Sequence, residues 1–174
     1  MKPFRQLILV SLITLFLTPT AWASLFNSEL TYTNRVSHIN AALGFHGGGF
    51  GLGGEYEYML HRDFSIGGMA RFYTGGDNGN PEVINFATFY KAHFPMRSWE
   101  IYVAPGLGLT RMKLDNIDGD ITLTPQIAIG TMMTLTEGLN IGIENLNIIN
   151  SFGSEDAYRG TVINDWMIKV QIIL

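Results

Sequence analysis

The chain has 174 residues with 11 Lys+Arg, 15 Asp+Glu and no cysteine, and its formal net charge is −4. The acidic balance argues against a nucleic-acid partner, because phosphates require a basic surface. The lack of cysteine excludes disulfides and thiolate metal sites.

The first residues have the composition of a secretory signal peptide. Lys2 and Arg5 are followed by an apolar run at 7–17 and by a small-x-small cleavage site at 21–23. A membrane anchor is the alternative, but a spanning helix needs about 20 apolar residues, and the Thr-Pro-Thr after the run interrupts it too early. We expect cleavage after Ala23, which removes both cations and leaves nine Lys+Arg against 15 Asp+Glu, a net charge of −6.

The next part, residues 24–36, is expected to be a periplasmic arm or an extension of the first strand. Residues 37–174 then predict a single all-β domain, because segments of roughly ten residues alternate between apolar and other side chains. The eight predicted strands lie near 37–46, 50–60, 64–74, 83–94, 99–112, 122–135, 139–149 and 161–174.

The alternation is clearest in the second predicted strand, where Tyr56 and Leu60 share one face and Glu55 and Glu57 the other. The seventh strand loses its phase near Glu144-Asn145, which predicts a β-bulge.

The predicted connections alternate in length along the chain. The short ones are 61–63, 95–98 and 136–138, and the longer ones, rich in Gly, Asn and Asp, are 74–82, 113–121 and 150–160. The first connection on the long side, 47–49, is an exception because it is unusually tight. Short turns at one rim and long loops at the other are the pattern of outer-membrane barrels.

The last strand has large apolar residues at every second position. The other face carries Met167, Lys169, Gln171 and Ile173. In a closed transmembrane barrel, lipid covers the apolar face. The alternate apolar residues are Trp166, Ile168, Val170, Ile172 and Leu174.

On these features residues 37–174 resemble the small eight-stranded outer-membrane barrel proteins, the group of the outer membrane protein A transmembrane domain and outer membrane protein X. The resemblance implies an eight-stranded antiparallel transmembrane β-barrel after a cleaved signal peptide, a porin-like monomer in a Gram-negative outer membrane with both ends in the periplasm. Its implied partners are outer-membrane lipid, lipopolysaccharide and the outer-membrane assembly machinery. That machinery would read the terminal alternate residues as an assembly signal, with Leu174 standing where members usually have Phe or Trp.

A soluble barrel such as a lipocalin would show the same alternation with its apolar face turned inward. The signal peptide, the loop asymmetry and the terminal strand favour the membrane interpretation. Aromatic residues near strand ends agree with it, because amphipathic rings favour the headgroup level. These residues are Phe50, Tyr58, Phe94, Trp99 and Trp166.

Under the membrane interpretation, seven charged residues face the lumen. An eight-stranded barrel is just wide enough inside for side chains, and an unpaired buried ion costs several kcal/mol. We therefore expect a structural charge network that plugs the lumen, with a proton or ion path, and hence a narrow pore, as the alternative. The residues are Glu55, Glu57, Arg71, Lys91, Glu100, Glu144 and Lys169.

The stretch Gly49-x-Gly51-x-x-Gly54 matches the dinucleotide fingerprint, but that motif requires a helix to follow. A strand is predicted here, so we expect the glycines to relieve crowding in a narrow barrel. The acidic loop 115–120 lacks the third and twelfth ligands of an EF-hand and is expected to be solvated.

The four histidines have no zinc-ligand spacing. Outer-membrane lipid A deacylases are similar in size and use His, Ser and a supporting Glu, but Ser37 and His38 are neighbours that point to opposite faces, and His-x-Ser is absent. A triad from distant strands stays open.

We therefore predict a non-enzymatic, structural barrel that presents surface loops and has no catalytic, cofactor or metal site. A lipid A-modifying enzyme and a narrow pore are the alternatives.

Overall fold

The computed structural model describes residues 36–46, 49–75, 81–96, 98–114, 117–136, 138–150 and 161–174. The predicted signal peptide and residues 24–35 of the next predicted segment lie outside them. In the described part of the chain, no helix is long and apolar enough to cross a membrane. The strands are β1 (Ser37–His46), β2 (Gly49–His61), β3 (Phe64–Tyr73), β4 (Glu82–Met96), β5 (Trp99–Leu114), β6 (Ile117–Asp118), β7 (Thr122–Thr136), β8 (Leu139–Asn150) and β9 (Thr161–Ile173).

The eight long strands form a closed antiparallel barrel. Each strand pairs with its neighbour along the chain, and β1 pairs with β9, with Leu43 opposite Ile168, so the sheet has no free edge. The two-residue β6 pairs only with the end of β5. The predicted fold is confirmed, and every predicted strand boundary lies within two residues of the observed one.

The two rims of the barrel differ. At one rim, called the short-turn rim, β2–β3, β4–β5 and β7–β8 are joined closely. Gly138 lies in the last of these turns with φ 84°, a left-handed conformation that glycine adopts without strain, and its carbonyl accepts a hydrogen bond from Ile173 N at 3.0 Å. The opposite rim carries the longer connections β3–β4, β5–β7 and β8–β9, together with the short β1–β2 connection, and is called the long-loop rim.

The wall has its apolar side chains on the outside. Leu109 and Ile168 are more than half exposed, whereas Arg71 and Lys169 inside the barrel are at most 1% exposed. This arrangement is the reverse of a soluble barrel, and it satisfies the physical chemistry of the chain only where hydrocarbon replaces water around the wall. The structure therefore decides between the two barrel types that the alternation left open.

The bulge predicted at Glu144-Asn145 is wrong. β8 keeps an unbroken register with β7 and β9 at these residues, and the irregularity of the β7–β8 pair lies instead between Thr134 and Thr136. The alternation of residue types changes phase here because the apolar Leu146 points into the lumen, while the polar Asn145 points outward together with two other asparagines. Asn145 Nδ2 donates to Asn164 Oδ1 at 3.0 Å, and Asn147 Nδ2 donates to Asn145 Oδ1 at 2.7 Å.

Candidate functional site: the barrel lumen

The lumen is filled by side chains in two zones. The charged residues are concentrated in the half towards the short-turn rim and in the middle, whereas the half towards the long-loop rim holds most of the large apolar side chains together with polar ones such as Asn85 and Asp165. We call the first zone the lumen network. It contains His38, Glu55, Glu57, Ser65, Arg71, Lys91, His93, Glu100, Tyr102, Glu144 and Lys169.

The centre of the lumen network is a square of two cations and two carboxylates from four strands. Lys169 Nζ lies 2.7 Å from Glu55 Oε2 and 2.8 Å from Glu144 Oε2. Arg71 Nη2 contacts Glu55 Oε1 and lies 2.9 Å from Glu144 Oε1. Tyr102 donates to Glu144 Oε2 at 2.8 Å. Each charge in the square therefore faces two charges of opposite sign, the arrangement that offsets the loss of water.

Lys91 joins this square to a second group nearer the short-turn rim. Its ammonium lies 2.5 Å from Glu57 Oε2 and 3.6 Å from Glu55 Oε2. The same nitrogen lies 4.8 Å from the ring centroids of both Phe89 and Tyr102, within the range of a cation–π contact. Glu57 is therefore the closest ion-pair partner of Lys91.

The second group is arranged around His93. Its Nε2 lies 2.8 Å from Glu57 Oε1 and 2.9 Å from Ser65 Oγ, and its Nδ1 lies 3.2 Å from Glu100 Oε2. His38 Nδ1 approaches Glu57 Oε1 at 3.9 Å. Both ring nitrogens of His93 thus face a carboxylate, so a ring that carries a hydrogen on each nitrogen satisfies both contacts.

Ser65, His93 and Glu100 stand in the spatial order of a hydrolase triad, brought together from β3, β4 and β5. Such a triad works when the serine passes its proton to the histidine. Here Ser65 Oγ donates to Glu57 Oε1 at 2.6 Å, so its hydrogen points at a carboxylate instead. Ser65 is also fully buried, and its hydroxyl has no open face towards a substrate.

The half of the lumen towards the long-loop rim is closed by apolar side chains, which we call the apolar cap. They pack from five strands, and buried polar side chains, among them Asn85, Thr110 and Asp165, lie at the same level of the lumen. The cap consists of Tyr73, Val83, Met112, Leu146, Ile148, Ile163 and Met167, all at most 4% exposed.

Inward-facing glycines make room for these large side chains. A Cβ on Gly51 would lie 2.9 Å from the Tyr73 ring, and one on Gly130 would lie 2.3 Å from Tyr102 Oη. For Gly51 this agrees with the predicted relief of crowding. For Gly54 the prediction is wrong, because that residue faces outward and a Cβ there would meet no atom closer than 3.9 Å.

All seven charged residues predicted for the lumen lie inside it and belong to one connected network. Sequence reasoning missed His38, Ser65, His93 and Asp165, which are also buried and inward. The strand period could have found them, because His93 shares the parity of Lys91, and Asp165 that of Lys169. Within the described ranges, no group of three His, Asp or Glu residues could hold a metal ion.

Comparison with known proteins places the fold. No protein-family model and no curated protein matches the chain. Among solved structures, Neisserial surface protein A is similar with a TM-score of 0.60 and 11% identity, over 79% of this chain and 94% of that one. The outer membrane enzyme PagL is similar with a TM-score of 0.56 and 16% identity, over 78% and 98%.

The outer membrane protein Ail of Yersinia pestis is also similar, with a TM-score of 0.54 and 12% identity, over 81% of this chain and all of that one. The chain therefore has the fold of the small eight-stranded outer-membrane β-barrels. At these identities the likeness concerns the fold alone, and its members include both a surface protein and an enzyme.

Proposed function

We propose that this barrel of the small outer-membrane type is a non-enzymatic structural protein of a Gram-negative outer membrane that presents the loops of its long-loop rim at the cell surface. The observation that carries the proposal is the filled lumen. The lumen network and the apolar cap together occupy the interior, so what the molecule offers to its surroundings is its wall and its rims.

The filled lumen also supports a closed barrel over the narrow pore. An ion entering from the short-turn rim would meet charges that already face partners, and beyond them the apolar cap. We expect the purified protein in a planar bilayer to show no steady conductance. A conductance that Met112→Ala in the cap increases would replace this proposal with the pore.

Lipid A analysis tests the non-enzymatic role. Mass spectra of lipid A from cells with and without the gene should be the same in acyl-chain number and phosphate content. A change that depends on the gene and on Ser65 would establish the lipid A-modifying alternative.

The contacts among Ser65, His93 and Glu100 are the observation that favours an enzyme as the second candidate function. A fluorophosphonate probe, which labels activated serines, tests it directly on the folded protein in detergent. We expect no labelling of the wild type, because Ser65 donates to Glu57 and is buried. Labelling that disappears in Ser65→Ala would contradict the proposal.

The predicted assembly signal belongs to the same proposal. Four of its five residues face outward along β9 and the fifth, Leu174, follows that strand; Trp166 is 63% exposed, as a segment read by another protein must be. Replacing Ile168 or Ile172 with Ser should lower the amount of assembled barrel in cells. The same change at Ile149 on β8 serves as the control outside the signal.

A further inference from the structure

Three asparagines form a polar group on the outer wall of the barrel, which we call the asparagine cluster. Asn145 and Asn147 lie on β8, and Asn164 lies on β9 opposite Asn147 in register. All three side chains point outward, so they face the surroundings of the wall and not the lumen. Asn145 and Asn147 are half-buried among their neighbours, and Asn164 is exposed.

The three side chains are linked in a closed ring of hydrogen bonds. Asn145 Nδ2 donates to Asn164 Oδ1 at 3.0 Å, Asn164 Nδ2 to Asn147 Oδ1 at 2.7 Å, and Asn147 Nδ2 to Asn145 Oδ1 at 2.7 Å. Asn145 Nδ2 also donates to the carbonyl of Asp165 at 3.2 Å. A carboxamide has two N–H donors and two acceptor positions. These bonds therefore leave one N–H on each of Asn147 and Asn164, and one acceptor position on each of the three side-chain oxygens.

The asparagine cluster lies at the depth of the hydrocarbon. Counted from Leu139 at the short-turn rim, β8 climbs about 15 Å to Asn145 and about 20 Å to Asn147 at the usual rise and tilt of barrel strands. The apolar band of such barrels is about 25 Å tall. Exposed isoleucines, Ile143 and Ile149, lie on both sides of the cluster along β8. The cluster is therefore surrounded by apolar wall and does not lie at its margin.

The position of the cluster is unusual for this wall. In the described strands, the other outward side chains with an amide or a full charge are Glu82, Arg111 and Lys113, near the ends of β4 and β5. Polar groups at membrane depth are costly, and they occur where another polypeptide or a water-filled space supplies hydrogen-bond partners. Because the asparagine cluster faces away from the lumen, its partner must come from outside the barrel.

We propose that the asparagine cluster is the centre of an interface between two copies of this chain in the membrane, formed by the outward face of β8 and β9. An acyl chain has neither donors nor acceptors, whereas a second asparagine cluster has both. Two clusters related by a two-fold axis can therefore place the donors of one copy against the acceptors of the other. Hydrogen bonds between polar side chains join membrane-spanning segments in the same way.

The surroundings of the cluster suit such a contact. Ile143 and Ile168 are opposite each other in register beside the cluster, and both are about half exposed. In a dimer these side chains pack around the amides and keep lipid away from them. The proposed dimer differs from the monomer that the family resemblance implies. It rests on the membrane location in the proposed function and not on the absence of enzymatic activity.

Crosslinking of single cysteines tests the interface, because the chain has no cysteine of its own. The protein is folded into phospholipid vesicles at a series of protein-to-lipid ratios and treated with a short bis-maleimide crosslinker. Ile168→Cys, beside the cluster, should give a covalent dimer. Thr88→Cys is the matched control, because Thr88 is exposed and outward on β4, on the opposite side of the barrel. It should remain monomeric at ratios where Ile168→Cys is crosslinked.

The amides are tested in the Ile168→Cys background. Asn147→Leu with Asn164→Leu should weaken the dimer about tenfold, the effect of one or two hydrogen bonds between membrane segments. Leucine is favourable on a lipid-facing wall, so the barrel should fold as before, and heat-dependent gel migration verifies this for every variant. Thr88→Leu makes a polar-to-apolar change away from the cluster and should leave the dimer unchanged.

Equal crosslinking of Ile168→Cys and Thr88→Cys would overturn the proposal, as would a dimer that the double leucine variant leaves unchanged. A monomer that retains lipopolysaccharide in native mass spectra, and loses it in the double leucine variant, would assign the amides to a lipid and would also overturn it. None of these outcomes bears on the chemistry of lipid A or on conductance, so failure here is distinct from failure of the proposed function.

Discussion

At the scale of single residues, the lumen shows how charges are kept in a dry interior. Glu57 is fully buried and is contacted by Lys91, by His93 and by the hydroxyl of Ser65. Several partners for one carboxylate recover in place what hydration would supply in water. Removal of one partner should therefore destabilise the folded barrel strongly, even though the net contribution of the intact network to stability is small.

Lys91→Met should lower the free energy of unfolding by about 3–5 kcal/mol, because it leaves a buried carboxylate without its closest cation. Adding Glu57→Gln should recover part of this loss, with a coupling free energy of about 0.5–3 kcal/mol in a double-mutant cycle. The measurement is denaturant unfolding of the protein in lipid vesicles.

Arg62→Met supplies the surface control for the cycle. Arg62 lies 3.2 Å from Asp63 in an exposed turn, and such pairs contribute about 1 kcal/mol or less. If Lys91→Met were as mild as Arg62→Met, the lumen network would be hydrated, and its proposed structural role would be contradicted.

At the scale of strands, each element serves two different environments. Inward positions meet a crowded lumen, and outward positions meet lipid, so the same residue type has opposite consequences on the two faces. Glycine illustrates this best. On Gly142 of β8 a Cβ would lie 1.9 Å from Thr131 O, a backbone atom that cannot move aside, whereas on Gly54 of β2 it would lie in open space.

Gly142→Ala should therefore destabilise the barrel by roughly 1–3 kcal/mol, the range for overpacking. Gly54→Ala should be neutral or stabilising by about 0.5–1 kcal/mol, because alanine loses less conformational freedom than glycine. Unfolding midpoints of the two variants in the same vesicles provide the comparison. Equal shifts of the unfolding midpoint would mean that Gly142 and Gly54 do not lie on opposite faces of the barrel wall.

A cation on the lipid face tests the facing of β7. Ile127 is outward and its neighbour Ala128 is fully buried inside. Ile127→Arg should impair assembly, because a cation near the midplane of the lipid face destabilises the barrel by roughly 2–4 kcal/mol. Val103→Arg on β5 should do the same. Assembled protein in membranes is the measurement. Ser98→Arg in an exposed short turn is the tolerated control, and equal tolerance of Ile127→Arg would show that β7 is turned the other way.

At the scale of the whole molecule, closure is the dominant property. Pairing of β1 with β9 leaves no free edge, so a long strand can leave the sheet only when both of its pairings break. A sheet without edges also offers no template for pairing with another chain.

Closure predicts heat-modifiable gel migration. The purified protein should keep its barrel in sodium dodecyl sulfate at room temperature and unfold only on boiling, so the two samples should migrate differently. Deletion of residues 161–174, which removes β9 and opens the sheet, should abolish the difference. A single band position for the wild type under both conditions would be at odds with the closed barrel.

Local periodicity was enough to predict the strands and the charged residues that face the lumen. Alternation sets the facing of Glu55, Glu57 and Lys169 because successive side chains in a strand point to opposite faces. It failed at Glu144-Asn145, where we inferred a bulge from residue type. An inward Leu146 in the apolar cap and an outward Asn145 held by other asparagines reverse the usual types without a change of register.

The sequence by itself determined the number of strands, their order and the parity of each residue, because these depend on neighbours along the chain. Only the tertiary structure decided which face is outside, that Glu57 is the closest partner of Lys91, and that Ser65, His93 and Glu100 meet. These depend on the registers between strands and on the curvature of closure, which bring together residues far apart in sequence. No local pattern encodes those distances.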